Sequence, residues 1–97
     1  MMILAEWLEG KMNDARAAFE AGRPAALAMV LGELLGALVA RDGNTDEVLT
    51  AIDRLGDAEK ASMRGDLAAA RESFDTAAEC IRALIREGEA QRPAAAT

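Results

Sequence analysis

Several side chains on which enzymes commonly depend are absent from this sequence. It contains no histidine, no tyrosine and a single cysteine, Cys80. Without histidine, acid–base catalysis near neutral pH would need a carboxylate, a lysine or a cysteine that titrates far from its usual range. A lone cysteine also excludes an internal disulfide and is typical of a reducing compartment. We therefore expect a cytoplasmic protein that is not an enzyme, with Cys80 as a half-buried structural thiol.

Aromatic and basic residues are scarce as well. Trp7, Phe19 and Phe74 are the only aromatic residues, whereas 23 of the 97 residues are alanine. Alanine forms helices readily but buries little apolar area, so burial of the core stabilises the fold only modestly. Small domains with such cores are commonly stabilised further by self-association. Eleven basic residues against 17 acidic residues give a net charge of −6. This balance disfavours direct contact with nucleic acid or with an anionic membrane.

Glycine and proline divide the chain into four segments, none of which alternates with the period of two that indicates a strand. The breaks fall at Gly22-Arg23-Pro24, Arg41-Asp42-Gly43-Asn44 and Arg64-Gly65-Asp66. Pro24 suits the first turn of the second helix. Asn44 with Glu47 resembles an N-terminal capping pair, and Asp66 is a good cap for the last helix.

These segments predict an all-α fold. The expected helices cover about residues 2–21, 24–40, 45–63 and 67–87. Short connections make consecutive helices antiparallel neighbours, in a four-helix bundle or in two stacked helical hairpins. We expect residues 1–90 to form a single helical domain and residues 91–97 to be a disordered tail.

Apolar residues recur at helical spacing in the last two segments. The core stripe predicted for the third helix is Val48, Leu49, Ile52 and Leu55. The seam predicted for the fourth helix is Leu67, Ala70, Phe74, Ala77, Ile81 and Leu84. Its steps of 3, 4, 3, 4 and 3 residues are typical of a helix in an antiparallel bundle.

The second helix differs because its apolar surface continues around most of its circumference. Its core stripe is Leu27, Val30, Leu31, Leu34 and Leu38. Beyond that stripe, the apolar surface is extended by Ala28, Gly32, Leu35 and Val39. A helix of this kind is covered on more than one side, so we expect it to be central in the bundle or to meet a partner. Its length, with Glu33 at its centre, is marginal for crossing a bilayer.

Glu33 is the only charged residue between Pro24 and Ala40. Its carboxylate either points to water from a narrow polar edge of the helix or is partly buried. A partly buried carboxylate needs a cation, such as an arginine from a partner. The sequence leaves both interpretations open.

Acidic residues before the third helix partly resemble a calcium-binding loop. Asp42, Asn44 and Asp46 match the first three ligand positions, and Asp53 matches the twelfth. The sixth position requires glycine for a sharp turn but holds Glu47, and the last ligand is normally glutamate. A helix cap explains the same residues, so we expect no metal site and no cofactor.

From Gly65 to Ala77 the chain resembles the second half of a tetratricopeptide repeat. The positions in register are Gly65, Asp66, Leu67, Ala70, Phe74 and Ala77. A fainter match runs through Gly10, Met12, Ala15 and Phe19. The resemblance implies a helical hairpin whose groove holds a peptide or a helix of another protein. The preceding helix departs from the pattern where large apolar residues are expected, at Arg54, Asp57 and Ala58.

The sequence therefore predicts a protein–protein interaction module, a small adaptor or chaperone-like protein that binds another protein or itself as a homodimer. The expected interface residues are Ile3, Leu4, Trp7, Ala28, Gly32, Glu33, Leu35 and Val39. The alternative is a phage or plasmid accessory protein, such as an antitoxin or an acidic inhibitor of a nucleic-acid-binding enzyme. A small enzyme is a third possibility and would depend on Glu33 or Cys80.

Overall fold

The computed structural model describes residues 3–40 and 45–90, with side chains at 5–40 and 45–87. Its helices are α1 (Ile3–Ala21), α2 (Pro24–Ala40), α3 (Asp46–Met63) and α4 (Leu67–Ala90). The described residues contain no strand, so the predicted all-α fold is confirmed. The predicted tail, residues 91–97, lies outside the described residues.

Two glycines end helices where the sequence places the breaks. Gly22 has a φ of 65°, in the left-handed region that favours glycine. Its N–H donates to the carbonyl of Phe19 at 3.1 Å, and the N–H of Arg23 donates to the carbonyl of Ala18 at 3.0 Å. These bonds satisfy carbonyls that the end of α1 would otherwise leave free. Gly65, with a φ of 80°, ends α3 by the same pattern.

Side chains cap the last two helices. The N-cap of α3 is Thr45 and not the predicted Asn44, because the Thr45 hydroxyl accepts the N–H of Val48 at 3.3 Å. Asn44 lies outside the described residues. The predicted cap of α4 is confirmed, since the carboxylate of Asp66 accepts the N–H of Ala69 at 3.1 Å.

Consecutive helices pack side by side, α1 on α2, α2 on α3 and α3 on α4, and α4 returns to α1 through a smaller contact. One cluster of buried residues draws on all four helices. Small residues let helix axes approach closely, and α3 and α4 supply most of them. They are Ala51, Ala58, Ala61, Ser62, Ala70, Ala77 and Ala78. The structure is the antiparallel four-helix arrangement that the sequence predicts.

A pair of phenylalanines joins α1 to α4. The ring centroids of Phe19 and Phe74 lie 5.5 Å apart, with the rings inclined by 53°. The guanidinium of Arg16 lies 5.9 Å from the Phe74 ring, and that of Arg71 lies 5.5 Å from the Phe19 ring. Each helix therefore covers the aromatic ring of the other with a cation, which favours this packing through the ring quadrupole.

Candidate protein-interaction surface

The outer side of α2 is exposed, although its composition is that of a buried helix. One side of α2 lies in the core through Leu27, Leu31, Leu34 and Leu38, all almost fully buried. The opposite side faces outward and consists of Ala25, Met29, Gly32, Gly36, Val39 and Ala40, of which only Gly32 is half-buried. We call these six residues the α2 face. Its large side chains, Met29 and Val39, are 69% and 62% exposed.

The prediction that α2 is covered on more than one side is therefore only partly met within one chain. The helix contacts α1 on one flank and α3 on the other. Among the described residues, no helix lies across the α2 face. The sequence pattern could not separate a helix covered by its own chain from one that leaves an apolar face open, because both have the same composition.

The predicted interface residues of α2 lie together. Ala28, Gly32 and Leu35 are half-buried along the edge towards α3, and Val39 is exposed at the end of the same row. A Cβ placed on Gly32 would lie 3.0 Å from Oε2 of Glu59 on α3, so the two helices are close at this point. The half-buried Glu59 carboxylate marks the boundary between the α2 face and α3.

Glu33 lies on the other edge of α2, towards α1, and forms an ion pair within the chain. Its Oε1 accepts a hydrogen bond from Nζ of Lys11 at 2.9 Å, and the two side chains are 46% and 23% exposed. Lys11 also lies 5.6 Å from the centroid of the Trp7 ring. The cation that a partly buried Glu33 was expected to need is thus a lysine of the same protein, and the Glu33 side chain stays partly hydrated.

Trp7 does not form part of the α2 face. Its side chain is half-buried, packs against the core and lies beneath Lys11. The backbone of Ile3 and Leu4 belongs to α1, but their side chains lie outside the described residues. The predicted interface therefore divides into a group on α2 and a separate aromatic group on α1.

An apolar row on α3, which was not predicted to be a surface, adjoins the α2 face. Leu49 was predicted to be in the core but is 50% exposed, while Val48, one residue earlier, is fully buried. Ile52 and Gly56 are half-buried on the same side, and Met63 is 75% exposed. We call Leu49, Ile52, Gly56 and Met63 the α3 flank. The signal lay in the spacing, since steps of 3, 4 and 7 residues define a second stripe beside the buried one.

The register of α2 against α3 places the two surfaces side by side. In an antiparallel helix pair, moving forward on one helix corresponds to moving backward on the other. Since Gly32 meets Glu59, Leu35 falls opposite Gly56 and Val39 opposite Ile52, while Met63 falls near Ala28. The α2 face and the α3 flank thus lie side by side as one largely apolar surface, which the half-buried Glu59 carboxylate interrupts next to Gly32.

The remaining candidate features of the described residues are a surface depression, a free thiol and the acidic side chains. A shallow depression of about 360 Å³ between α1 and α2 is lined mainly by small apolar side chains, with Asp14 and Arg23 as its charged residues. Cys80 is a free, half-buried thiol against the core, as expected. Within residues 5–40 and 45–87, no group of three potential metal ligands converges. Two residues of the calcium-like loop, Asp42 and Asn44, lie outside the described residues.

Two further findings bear on function. None of the described helices combines the length and the apolar character that a membrane crossing requires. No known protein family, curated protein or solved structure matches the chain. The apolar surface formed by the α2 face and the α3 flank is therefore the feature of the molecule that indicates a function.

Proposed function

We propose that the protein is an interaction module, a small adaptor or chaperone-like protein that binds another protein chain through the α2 face and the α3 flank. The observation that carries the proposal is the exposed apolar face of α2. Monomeric proteins rarely leave a large contiguous apolar surface in water, and such surfaces commonly mark interaction sites. The single charge of α2, on Glu33, is already engaged by Lys11 at the edge of the surface.

The large apolar side chains that a partner would remove from water are Met29, Val39, Leu49 and Met63. Removing apolar area from water stabilises a complex by about 25 cal/mol per Å² before the cost of association. Methionine side chains are flexible and adapt to differently shaped partners. Two exposed methionines on one surface are therefore consistent with an adaptor or a chaperone-like protein.

The shape of the surface indicates the kind of partner. Gly32, Gly36 and Ala40 present no large side chain along α2, whereas Met29 and Val39 are exposed on the same side. A helix of another chain can lie against such a surface with small residues beneath it and apolar anchors at helical spacing. We therefore propose an amphipathic helix as the element that this surface binds.

A charge-insertion variant tests the proposal. Met29→Glu places a carboxylate on the α2 face, and because Met29 is exposed the domain still folds. Ala68→Glu, on the exposed side of α4, adds the same charge elsewhere. We expect affinity capture from the source organism to recover at least one protein with the wild type and with Ala68→Glu that Met29→Glu does not retain. Equal recovery with all three baits would contradict the proposed surface.

The salt dependence of that binding distinguishes this function from acidic inhibition of a nucleic-acid-binding enzyme. Binding through the apolar surface tolerates added salt, because apolar burial is not screened. Competition for a basic groove through the net charge of −6 weakens steeply as the ionic strength rises. Complexes that survive 0.5 M NaCl would support the apolar surface, and complexes lost by about 0.2 M would favour the inhibitor.

A further inference from the structure

We infer that this surface binds a second copy of the chain, with the two α2 helices antiparallel and related by a two-fold axis near Leu34. The inference rests on the interaction surface proposed above and specifies its occupant. It follows from the arrangement of large and small residues along the α2 face.

Four of the six residues of the α2 face are placed symmetrically about Leu34. Met29 and Val39 lie five residues before and after it, and Gly32 and Gly36 lie two residues before and after it. Ala40, six residues after Leu34, corresponds to Ala28, six residues before it, which is half-buried beside the α2 face on the edge towards α3. A two-fold interface brings one surface against itself, so that residue i meets residue j while j meets i. In this register Met29 of each copy meets Val39 of the other, and glycine meets glycine.

This register also satisfies the steric requirements of a crossed helix pair. Small residues at the crossing point let the two backbones approach, as glycines four residues apart do in other helix pairs. A Cβ on Gly36 would meet nothing within 4 Å in the single chain, so the space above this glycine is open. Towards the ends the crossed helices diverge, and Met29 and Val39 fill the wider gap there.

The charged residue of α2 lies outside the contact between the two α2 helices. Glu33 is bound to Lys11 on the edge towards α1. Glu59 of α3 is half-buried against Gly32, between the α2 face and the α3 flank, and the flexible end of its side chain has to turn towards water when the second copy approaches. The α2 helices themselves contribute only alanine, glycine, methionine and valine to the contact.

The area that a stable dimer needs requires the α3 flank to take part. A standard interface buries about 800 Å² on each partner, and a single helix of about 25 Å does not present that much surface on one side. The α3 flank adds Leu49 and Met63, which are exposed beside the α2 face. Around a two-fold axis, the α3 flanks of both copies lie on the same side of the helix pair and enlarge the contact.

Disulfide trapping tests the register. Met29→Cys chains and Val39→Cys chains, each in a Cys80→Ser background, are oxidised separately and as a mixture. Cross-linked species should form in the mixture, where positions 29 and 39 meet. Each variant alone should stay uncross-linked, because identical positions are ten residues apart along the helix pair, about 15 Å, beyond the reach of a disulfide. Cross-linking of either variant alone would overturn the antiparallel register.

A matched pair of glycine variants tests the surface. Gly36→Leu and Gly10→Leu both place a side chain in open space in the single chain, and both raise helix propensity. Sedimentation equilibrium should show a dimer for the wild type and for Gly10→Leu. For Gly36→Leu we expect the dimer dissociation constant to rise by about tenfold or more, since the added side chain separates the helices.

A dimer that Gly36→Leu leaves unchanged would overturn the inference. So would a wild type that stays monomeric at several hundred micromolar. Neither result by itself contradicts the proposed function, which requires only that the surface bind some protein chain. If Met29→Glu still loses a captured protein while the wild type is monomeric, the interaction surface stands and its occupant is a different chain.

Discussion

At the scale of single residues, Ser62 is a buried polar side chain whose hydroxyl lacks a hydrogen-bond partner among the described residues. It lies in α3 and is only 1% exposed. A buried hydroxyl without a partner lowers the free energy of unfolding, because it has lost its hydrogen bonds to water and gained none within the protein.

We predict that Ser62→Ala stabilises the domain. The substitution removes the unpaired hydroxyl and improves helix propensity, and the expected gain in the free energy of unfolding is about 1 kcal/mol. This corresponds to a rise in Tm of about 4–8 °C for a domain of this size. Urea and thermal unfolding measure it, with Ser73→Ala, half-buried on α4, as the control. A loss of stability would show that the Ser62 hydroxyl has a partner in solution.

Glu33 is a second residue whose role the structure clarifies. Its pairing with Lys11 joins α1 to α2, but both side chains are partly hydrated. Exposed ion pairs contribute about 0–1 kcal/mol to stability. The pair therefore serves mainly to keep the one charge of α2 at the edge of the apolar surface, away from the α2 face.

At the scale of helices, α1 is held less firmly than α3 and α4. The α3–α4 pair is the most extensive contact of the bundle, whereas α1 meets α4 only in a small contact that includes Phe19 and Phe74. In its first turns, the described core residues of α1 are Leu8 and Met12. Segments with few buried contacts open locally at lower free energy than the rest of the domain.

We predict that amides in residues 5–12 exchange with solvent faster than amides in residues 51–61 and 70–81. Native-state hydrogen exchange measured by NMR gives the opening free energy of each amide. The difference in opening free energy between residues 5–12 and residues 70–81 should become smaller in the Phe74→Leu variant, because this substitution also weakens the packing of α4. Equal protection across all three segments would show instead that the four helices open as one cooperative unit.

At the scale of the whole molecule, the net charge and the apolar surface have opposite effects on the association of two copies. Each copy carries a net charge of −6, so two copies repel at long range when little salt is present. The Debye length falls from about 30 Å at 0.01 M salt to about 8 Å at 0.15 M. The apolar contact through α2 is not weakened by this screening.

We therefore predict that added salt strengthens self-association. Between about 0.01 M and 0.15 M NaCl, the dimer dissociation constant measured by sedimentation should fall. The Ala68→Glu variant, which carries one more negative charge on α4, outside the α2 face and the α3 flank, should show a steeper decrease. A dissociation constant that rises with salt would indicate that opposite charges hold the dimer, and the α2 face would not be its interface.

Local chemistry in the sequence determined the helices of this protein. Gly22, Gly65 and Asp66 end or begin helices through bonds between residues a few positions apart, so their effect can be predicted without the fold. The α4 seam was also predictable, because a 3–4 spacing places Phe74 and its neighbours on one side of any helix. Hydrophobic spacing therefore predicted which residues could be buried together.

The tertiary structure alone decided that the second apolar side of α2 stays uncovered. The leucine stripe was predicted as the core side, but only the positions of α1 and α3 leave Met29 and Val39 in water. The partner of Glu33 lies 22 residues away on another helix, a distance at which spacing along one helix carries no information. Leu49 and Val48 are adjacent in sequence, yet packing against neighbouring helices buries one and exposes the other. Which residues can be buried is a property of each helix, whereas which are buried depends on how the helices meet.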